Sequence, residues 1–487
     1  MENNIKNKAL SGVVWTAIQK YSSMAIHFIS GIILARLLTP DNYGCIGMLA
    51  IFMTVSNSFI DGGFGSALIQ KKKPTQADYS TIFYWNLIVG AAVYVLLFFL
   101  APYVAEFYNI PILCKVLRVQ AVVLIINAFT MVQSNQLRKK LNFKIISKVT
   151  ILTALISLVI TVCMAYKGFG VWALVAQNLI TATVPATIYW FYIKWRPIWA
   201  FSWSSFKELF SFGSYVLLSN LLNNISTQIQ GLLIGKFYDP TTMGYYSKAY
   251  STETLASTSI SSIITQVTYP LYAQVQDNVE LLISIIKRIT TTILYVTMPM
   301  MTILILITKP LFVLLYSDRW LASVPYFQVL CLAGIVNCLM AVNAQAVSAV
   351  GKSRVMFYGT ILKRLVGISA IVSGLILYGM KGLLIGVLIN TYFSYAVNIS
   401  LVSKHIGYKW YTQIKDLMPI VLVSALSFIV SYAGVTYFNL PLYADGFMKL
   451  IVFVAVYLFL SYAFKLEAFR YTSDIIVEKV LSKLKRK

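Results

Sequence analysis

The chain has 487 residues, of which 59% are hydrophobic and only 11% charged, and it carries a net charge of +24. An ordinary soluble protein is about a quarter charged, so a water-soluble globular domain is excluded. The basic balance does not indicate nucleic acid either, because the cations sort by side of a membrane, as the segments show in turn.

Met1–Leu10 is short and polar and has no cleavable signal pattern, and the first apolar run is already a full span. Runs near the length of about 20 residues that crosses a bilayer then recur along the whole chain. They predict fourteen spans, near 12–37, 44–62, 80–104, 113–136, 145–166, 170–193, 209–235, 243–268, 281–307, 323–349, 355–378, 382–403, 416–438 and 447–465. The loops are short, the longest outer ones being roughly ten residues near Tyr108 and Ser317. With both termini inside, the cytoplasmic segments hold about 27 of the 40 Lys and Arg and the outer segments about 10. This positive-inside bias sets the orientation and accounts for the basic pI through topology and anionic lipid. Cys45, Cys114, Cys163, Cys331 and Cys338 form no CxxC pair and read as small buried hydrophobes.

A repeat divides the chain. Gly31, Arg36, Pro40 and Gly44 recur as Gly231, Lys236, Pro240 and Gly244, and Pro102 and Tyr108 recur as Pro310 and Tyr316. The predicted fold is an all-α integral membrane protein with two six-helix lobes in parallel pseudo-twofold repeat around a central cavity. Residues 1–200 form the first lobe and 201–410 the second. Two extra spans occupy 411–466, and 467–487 is a basic amphipathic tail on anionic lipid. The linker 194–205 holds Trp195, Trp199 and Trp203 and suits headgroup depth. Pro185 and Pro299 fall inside spans, where they are expected to kink or break the helix.

Charges inside spans are the candidate site, since each costs about 2.5–3.5 kcal/mol at mid-bilayer and usually faces a cavity or a partner. Lys20, Ser23, His27 and Ser30 share one face of the first span. Lys20 lies roughly 13 Å from its cytoplasmic end, and Lys363 and Arg364 fall at similar depth in the eleventh span. These cations, with His27 and Lys248, are expected to line a cationic cavity. The competing account is that they snorkel to the headgroups, which adjacent Lys363 and Arg364 cannot both do by one exit. The seventh and eighth spans are rich in Asn, Gln, Ser and Thr. Helix-to-helix hydrogen bonding explains many of these, but not Glu253, the deep carboxylate. Glu253 either pairs with Lys248 or His27, or carries a coupling proton or Na+.

The segments Ala35-Arg-Leu-Leu-Thr-Pro-Asp-Asn-Tyr-Gly44, Asp61-Gly-Gly-Phe-Gly-Ser-Ala-Leu-Ile-Gln70 with Lys71–Lys73, and Gln136-Leu-Arg-Lys-Lys-Leu-Asn-Phe-Lys144 resemble the polysaccharide flippases of the multidrug/oligosaccharidyl-lipid/polysaccharide superfamily. The nearest branch is that of colanic-acid and teichuronic-acid exporters. The resemblance implies translocation of an undecaprenyl-diphosphate-linked oligosaccharide across the bacterial cytoplasmic membrane, by alternating access and without an enzyme's chemistry. It implies as partners that polyprenyl-linked glycan and the polymerase and glycosyltransferases of its pathway. It carries over no substrate residue, because the family motifs sit at loops. Two other functions differ in what they need. A cation-coupled multidrug exporter calls for acidic cavities, whereas here the intramembrane balance is basic. A membrane glycosyltransferase or polymerase calls for acidic or metal-binding residues on a sizeable outer loop, and the chain has two histidines and no such loop.

Overall fold

The computed structural model describes residues 2–471, and the predicted amphipathic tail from 472 onward lies outside them. The described residues are helical apart from short connections. α1 (Glu2–Leu37), α2 (Pro40–Asp61), α3 (Phe64–Gln70), α4 (Gln76–Tyr108), α5 (Ile112–Gln120), α6 (Val122–Lys139), α7 (Phe143–Tyr166) and α8 (Val171–Tyr192) come first. α9 (Trp203–Phe237), α10 (Pro240–Val275), α11 (Val279–Leu306) and α12 (Thr308–Tyr316) follow, then a 3-10 turn (Asp318–Ser323). The chain ends with α13 (Val324–Ala349), α14 (Ser353–Ile406), α15 (Trp410–Thr436) and α16 (Leu442–Ala463).

Among the described residues, ten helical segments are long and apolar enough to cross a bilayer. One of them, Arg354–Ile406, leaves helical geometry at Tyr378 and Gly379 and so makes two crossings. Small residues let its two arms close on each other, Gly374 meeting the Gly382 carbonyl. α1, α9 and α10 have 36, 35 and 36 residues and are long enough, but more polar than the other spans. With them the crossings number the fourteen expected.

Three expectations are corrected. Of the kink or break expected at Pro185 and Pro299, the break does not occur: α8 and α11 run through them as continuous helices. Of the expected outer loops, the one near Tyr108 shrinks to residues 109–111 because α4 continues to Tyr108, and the one near Ser317 is ordered as α12 and the 3-10 turn. Cys163 is exposed, whereas Cys45, Cys331 and Cys338 are buried.

By packing, the chain divides into 1–247 and 248–487, inside α10, and not at the repeat boundary near residue 200. The reason is α9, which packs along α2, α3 and α4. In the same unit α1 lies along α7, α7 on α8, and α8 on α6 and α2. In the second unit α13 packs on α11 and α14, α11 on α15, and α15 on α16.

Two glycine contacts set the geometry of the first unit. At Gly62 and Gly63 φ is 53° and 72°, a left-handed turn that separates α2 from α3, and Gly63 lies against the Gly213 carbonyl of α9. At the other end of α2 the repeat meets itself. A methyl group on Gly44 would overlap the Pro240 carbonyl, and one on Gly244 would overlap the Pro40 carbonyl. The Thr241 hydroxyl donates to the Asp41 carboxylate beside them. Each Pro opens its helix at the first turn, where its missing N–H costs nothing. Each Gly then lets the facing backbone approach, which is why the two share one spacing.

The family-like motifs at the end carrying Lys71–Lys73 are structural. Lys139 donates to the carbonyls of Leu68, Ile69 and Lys71, closing the C-terminus of α3. Thr75 and Asp78 form a capping box on α4. Lys71 Nζ joins Asp78 at 3.1 Å to Glu208 at 2.8 Å. Burial works against the Lys71 charge, but hydrogen bonds to Glu208 and Asp78 outweigh it and raise its pKa above the ordinary lysine value. Its contribution is therefore complete below that ordinary value and lost as pH rises through the raised one. Asp78 is 1% exposed, so Asp78→Ala removes a cap and leaves a lysine without its buried partner. It should cost about 2 kcal/mol, measured as a lower melting temperature in detergent, with Asp78→Asn in between.

The linker is pinned rather than floating. Ile198 and Ser202 N–H donate to Ser80 and Thr81 hydroxyls, each at 3.0 Å. Trp195 turns inward onto Tyr79 and Phe83, while Trp199 is 97% exposed, the position of an interfacial anchor.

Candidate functional site

The constant offset of 200 residues that aligns Pro40 with Pro240 also aligns Met48 with Lys248 and Met53 with Glu253. Met48 and Met53 are buried, and so are Lys248 and Glu253, at 5% and 4% exposure. Two apolar positions of one repeat are therefore buried charges in the other. Five residues on an α-helix put them about 7.5 Å apart along the axis and on different faces, so each meets its own neighbours.

Lys248 Nζ lies 4.1 Å from the Tyr316 ring centroid and 5.8 Å from that of Trp320. Both rings are buried, and a desolvated contact of this kind contributes about 2 kcal/mol. The Tyr316 hydroxyl is fixed 3.1 Å from Thr252 Oγ1. Its repeat counterpart Tyr108 donates at 3.2 Å to the carbonyl of Met48. The tyrosine is thus common to both halves, and the ammonium is the difference.

Glu253 faces α13, where Gly334 has no side chain and leaves room for Oε1. The Ser257 and Thr254 hydroxyls reach the carboxylate, but Oε1 itself is buried without a hydrogen bond among the described residues. The expected pairing of Glu253 with Lys248 gives way to this arrangement, because Lys248 is directed onto Tyr316.

Lys363 is half-buried on α14, and its ammonium donates at 3.0 Å to Asn398 Oδ1. Asn398 in turn donates at 3.2 Å to the Met340 carbonyl of α13. Lys363 is thereby turned into the bundle, toward a neutral amide, and no carboxylate lies within 4 Å of it among the described residues. Arg364, the next residue, is also half-buried. On α1, Lys20 and Ser23 are half-buried, Ser30 is buried and His27 is exposed, so the expected face is uneven in its surroundings. On α9 the polar residues Asn220, Asn223 and Thr227 are exposed. Inside the first unit a hollow of about 320 Å3 is lined by Asn57, Gln120, Asn127 and Asn178 among others. There Asn127 donates to Asn57 at 3.0 Å, and Gln120 Oε1 is buried without a hydrogen bond among the described residues.

Reading the sequence missed Trp320, Gly334 and Asn398. Asn398 was visible as an amide within a span, but its partner lies 35 residues away on the other arm of α14.

Fourteen crossings, a repeat with reciprocal Pro–Gly contacts, and buried charges confined to a few helices define a polytopic helical membrane protein of the transporter type. The fold is that of two groups of solved structures. A lipid II flippase, MurJ, aligns over 93% of this chain and 98% of its own with a TM-score of 0.75 at 15% identity. A multidrug resistance MATE family transporter aligns over 81% and 98% with a TM-score of 0.63 at 14% identity. Residues 33–325 match the family described as polysaccharide biosynthesis protein, and the chain belongs to that family. It is 27% identical to the teichuronic acid biosynthesis protein TuaB of Bacillus subtilis strain 168, over 73% of this chain and 74% of that protein. It is 22% identical to the lipopolysaccharide biosynthesis protein WzxC of Escherichia coli strain K12, over 88% of each.

Proposed function

We propose that this protein translocates an undecaprenyl-diphosphate-linked oligosaccharide from the inner to the outer leaflet of a bacterial cytoplasmic membrane, by alternating access, with both termini inside. The observation that carries the reading is Lys363, an intramembrane cation held inward by an amide with no carboxylate to balance it. Such a group suits a pyrophosphate, whose oxygens accept charge-assisted hydrogen bonds. Arg364 adds a planar fork, and Lys20 adds a point charge at the same depth by residue count. Exposed Asn220 on α9 favours a water-filled space for sugars, since an amide facing lipid would lack a partner. Membership in the polysaccharide biosynthesis family and the names of its relatives agree with this substrate class. The test is export of labelled lipid-linked oligosaccharide by purified protein in liposomes. Transport of cationic drugs with no glycan movement would favour the multidrug reading instead.

Glu253 is the coupling residue in this proposal, for a proton or Na+. Glu253→Gln keeps the shape that fits beside Gly334 and should abolish dependence on a pH or Na+ gradient with the melting temperature little changed. Persistence of that dependence in the variant removes Glu253 from the mechanism. Lys248→Met restores the residue of the other repeat. It should raise the melting temperature, since the cost of burying a charge disappears, while lowering transport.

A further inference from the structure

A cleft of about 750 Å3 lies in the second unit, where the N-terminal halves of α11 and α15 meet the segment after α16. Its lining mixes two chemistries. Ile420, Leu422, Leu426 and Phe464 supply apolar surface, and Lys287, Lys415 and Lys465 supply cations beside the carboxylates of Asp416 and Glu467. A second hollow of about 390 Å3 shares Lys287 and Glu467 and adds Arg288 and Arg470. The carboxylates do not balance these cations evenly. Lys287 Nζ alone is 3.1 Å from Asp416 and 3.6 Å from Glu467, and Asp416 also accepts from the Tyr408 hydroxyl at 2.5 Å. Lys415 and Lys465 are exposed and have no ion pair among the described residues.

The backbone at Lys465 is unusual as well. Its φ is 49°, and Leu466 N–H bonds the Ser461 carbonyl at 3.1 Å, closing α16 with a turn whose left-handed position usually belongs to Gly or Asn. A lysine there is strained, and the strained turn sets a charge in the cleft lining.

We propose that this cleft binds one anionic glycerophospholipid, its phosphate taken by Lys415 and Lys465 and an acyl chain laid along the α15 wall. The inner leaflet is its source, because these helix ends are cytoplasmic by the loop charges; the proposal rests on that orientation. Charge decides the occupant. An excess of cations over an apolar wall complements a lipid with a net negative headgroup. A zwitterionic lipid gains less, and residues 472–487, with five Lys and Arg against two Asp and Glu, would repel.

The test uses the full-length protein in detergent and does not measure transport, so its outcome is separate from that of the flippase reading. Native mass spectrometry compares retention of phosphatidylglycerol and phosphatidylcholine with the same acyl chains. One phosphatidylglycerol should be retained in preference, and the Lys415→Gln, Lys465→Gly double variant should lose roughly tenfold in affinity. Lys465→Gly alone should weaken binding while the lipid-free protein melts no lower than the parent, because glycine relaxes the turn. On the unmodified protein, a photoactivatable phosphatidylglycerol should cross-link to peptides spanning 415–426 and 464–468. Undiminished preference in the double variant, equal retention of phosphatidylcholine, or cross-links confined to 472–487 would each overturn the proposal. So would displacement of the lipid by equimolar undecaprenyl phosphate, which would assign the cleft to the transported substrate.

Discussion

Gly44→Val and Gly244→Val should each stop glycan export in a strain that lacks the native protein. Each glycine faces the carbonyl of the other repeat's proline, so the added side chain meets backbone, which cannot turn aside as a flexible side chain would. Overpacking of this kind costs about 3 kcal/mol, enough to depopulate the closely packed arrangement roughly a hundredfold. If export runs by alternating access, that arrangement of the α2 and α10 ends is one of the states the cycle must visit. A second experiment leaves the glycines alone. Thr241 hydrogen-bonds Asp41 across the same contact, so an Asp41→Cys, Thr241→Cys pair should form a disulfide on oxidation and halt export, with recovery on reduction. Full export with the pair oxidised would show that this contact need not open, and alternating access at this end would fail with it.

Neutralising the cation set should have the second large effect. Lys363→Gln, Arg364→Ala or Lys20→Ala should each reduce export by about tenfold or more, since a charge-assisted contact contributes about 1.5–3 kcal/mol. Lys363→Arg should be tolerated better than Lys363→Gln, because it keeps the charge, and Arg364→Glu should be worse than Arg364→Ala, because it adds repulsion. Asn398 supplies an internal control. Asn398→Ala frees the Lys363 ammonium without removing it, so export should fall by less than in Lys363→Gln. If these lysines merely snorkel, the ranking reverses and alanine becomes harmless or mildly stabilising. Normal export by the triple alanine variant, at normal membrane levels, would end the pyrophosphate-site reading.

The number of spans, the Pro–Gly repeat and the charge bias of the loops were legible in the sequence, because each depends on local composition. A span needs only enough apolar residues in a row, and a Pro opening a helix acts through its own ring. The repeat even contained the reciprocal contact, since one spacing in two copies produces two matching backbone approaches. What the sequence alone left open was which way a polar side chain turns. Lys248 and Glu253 sit on one helix and read as a pair, yet packing turns one onto Tyr316 and the other toward Gly334. Lys363 could equally have reached the headgroups, until Asn398 from the facing arm of α14 took its proton donor. α9 opens the second repeat in sequence but packs with the first unit, because its contacts with α2, α3 and α4 outweigh its place in the chain. Hydrophobicity and caps are properties of a segment and add along it. The azimuth of a side chain is set by neighbours tens to hundreds of residues away, so only the tertiary structure decides it.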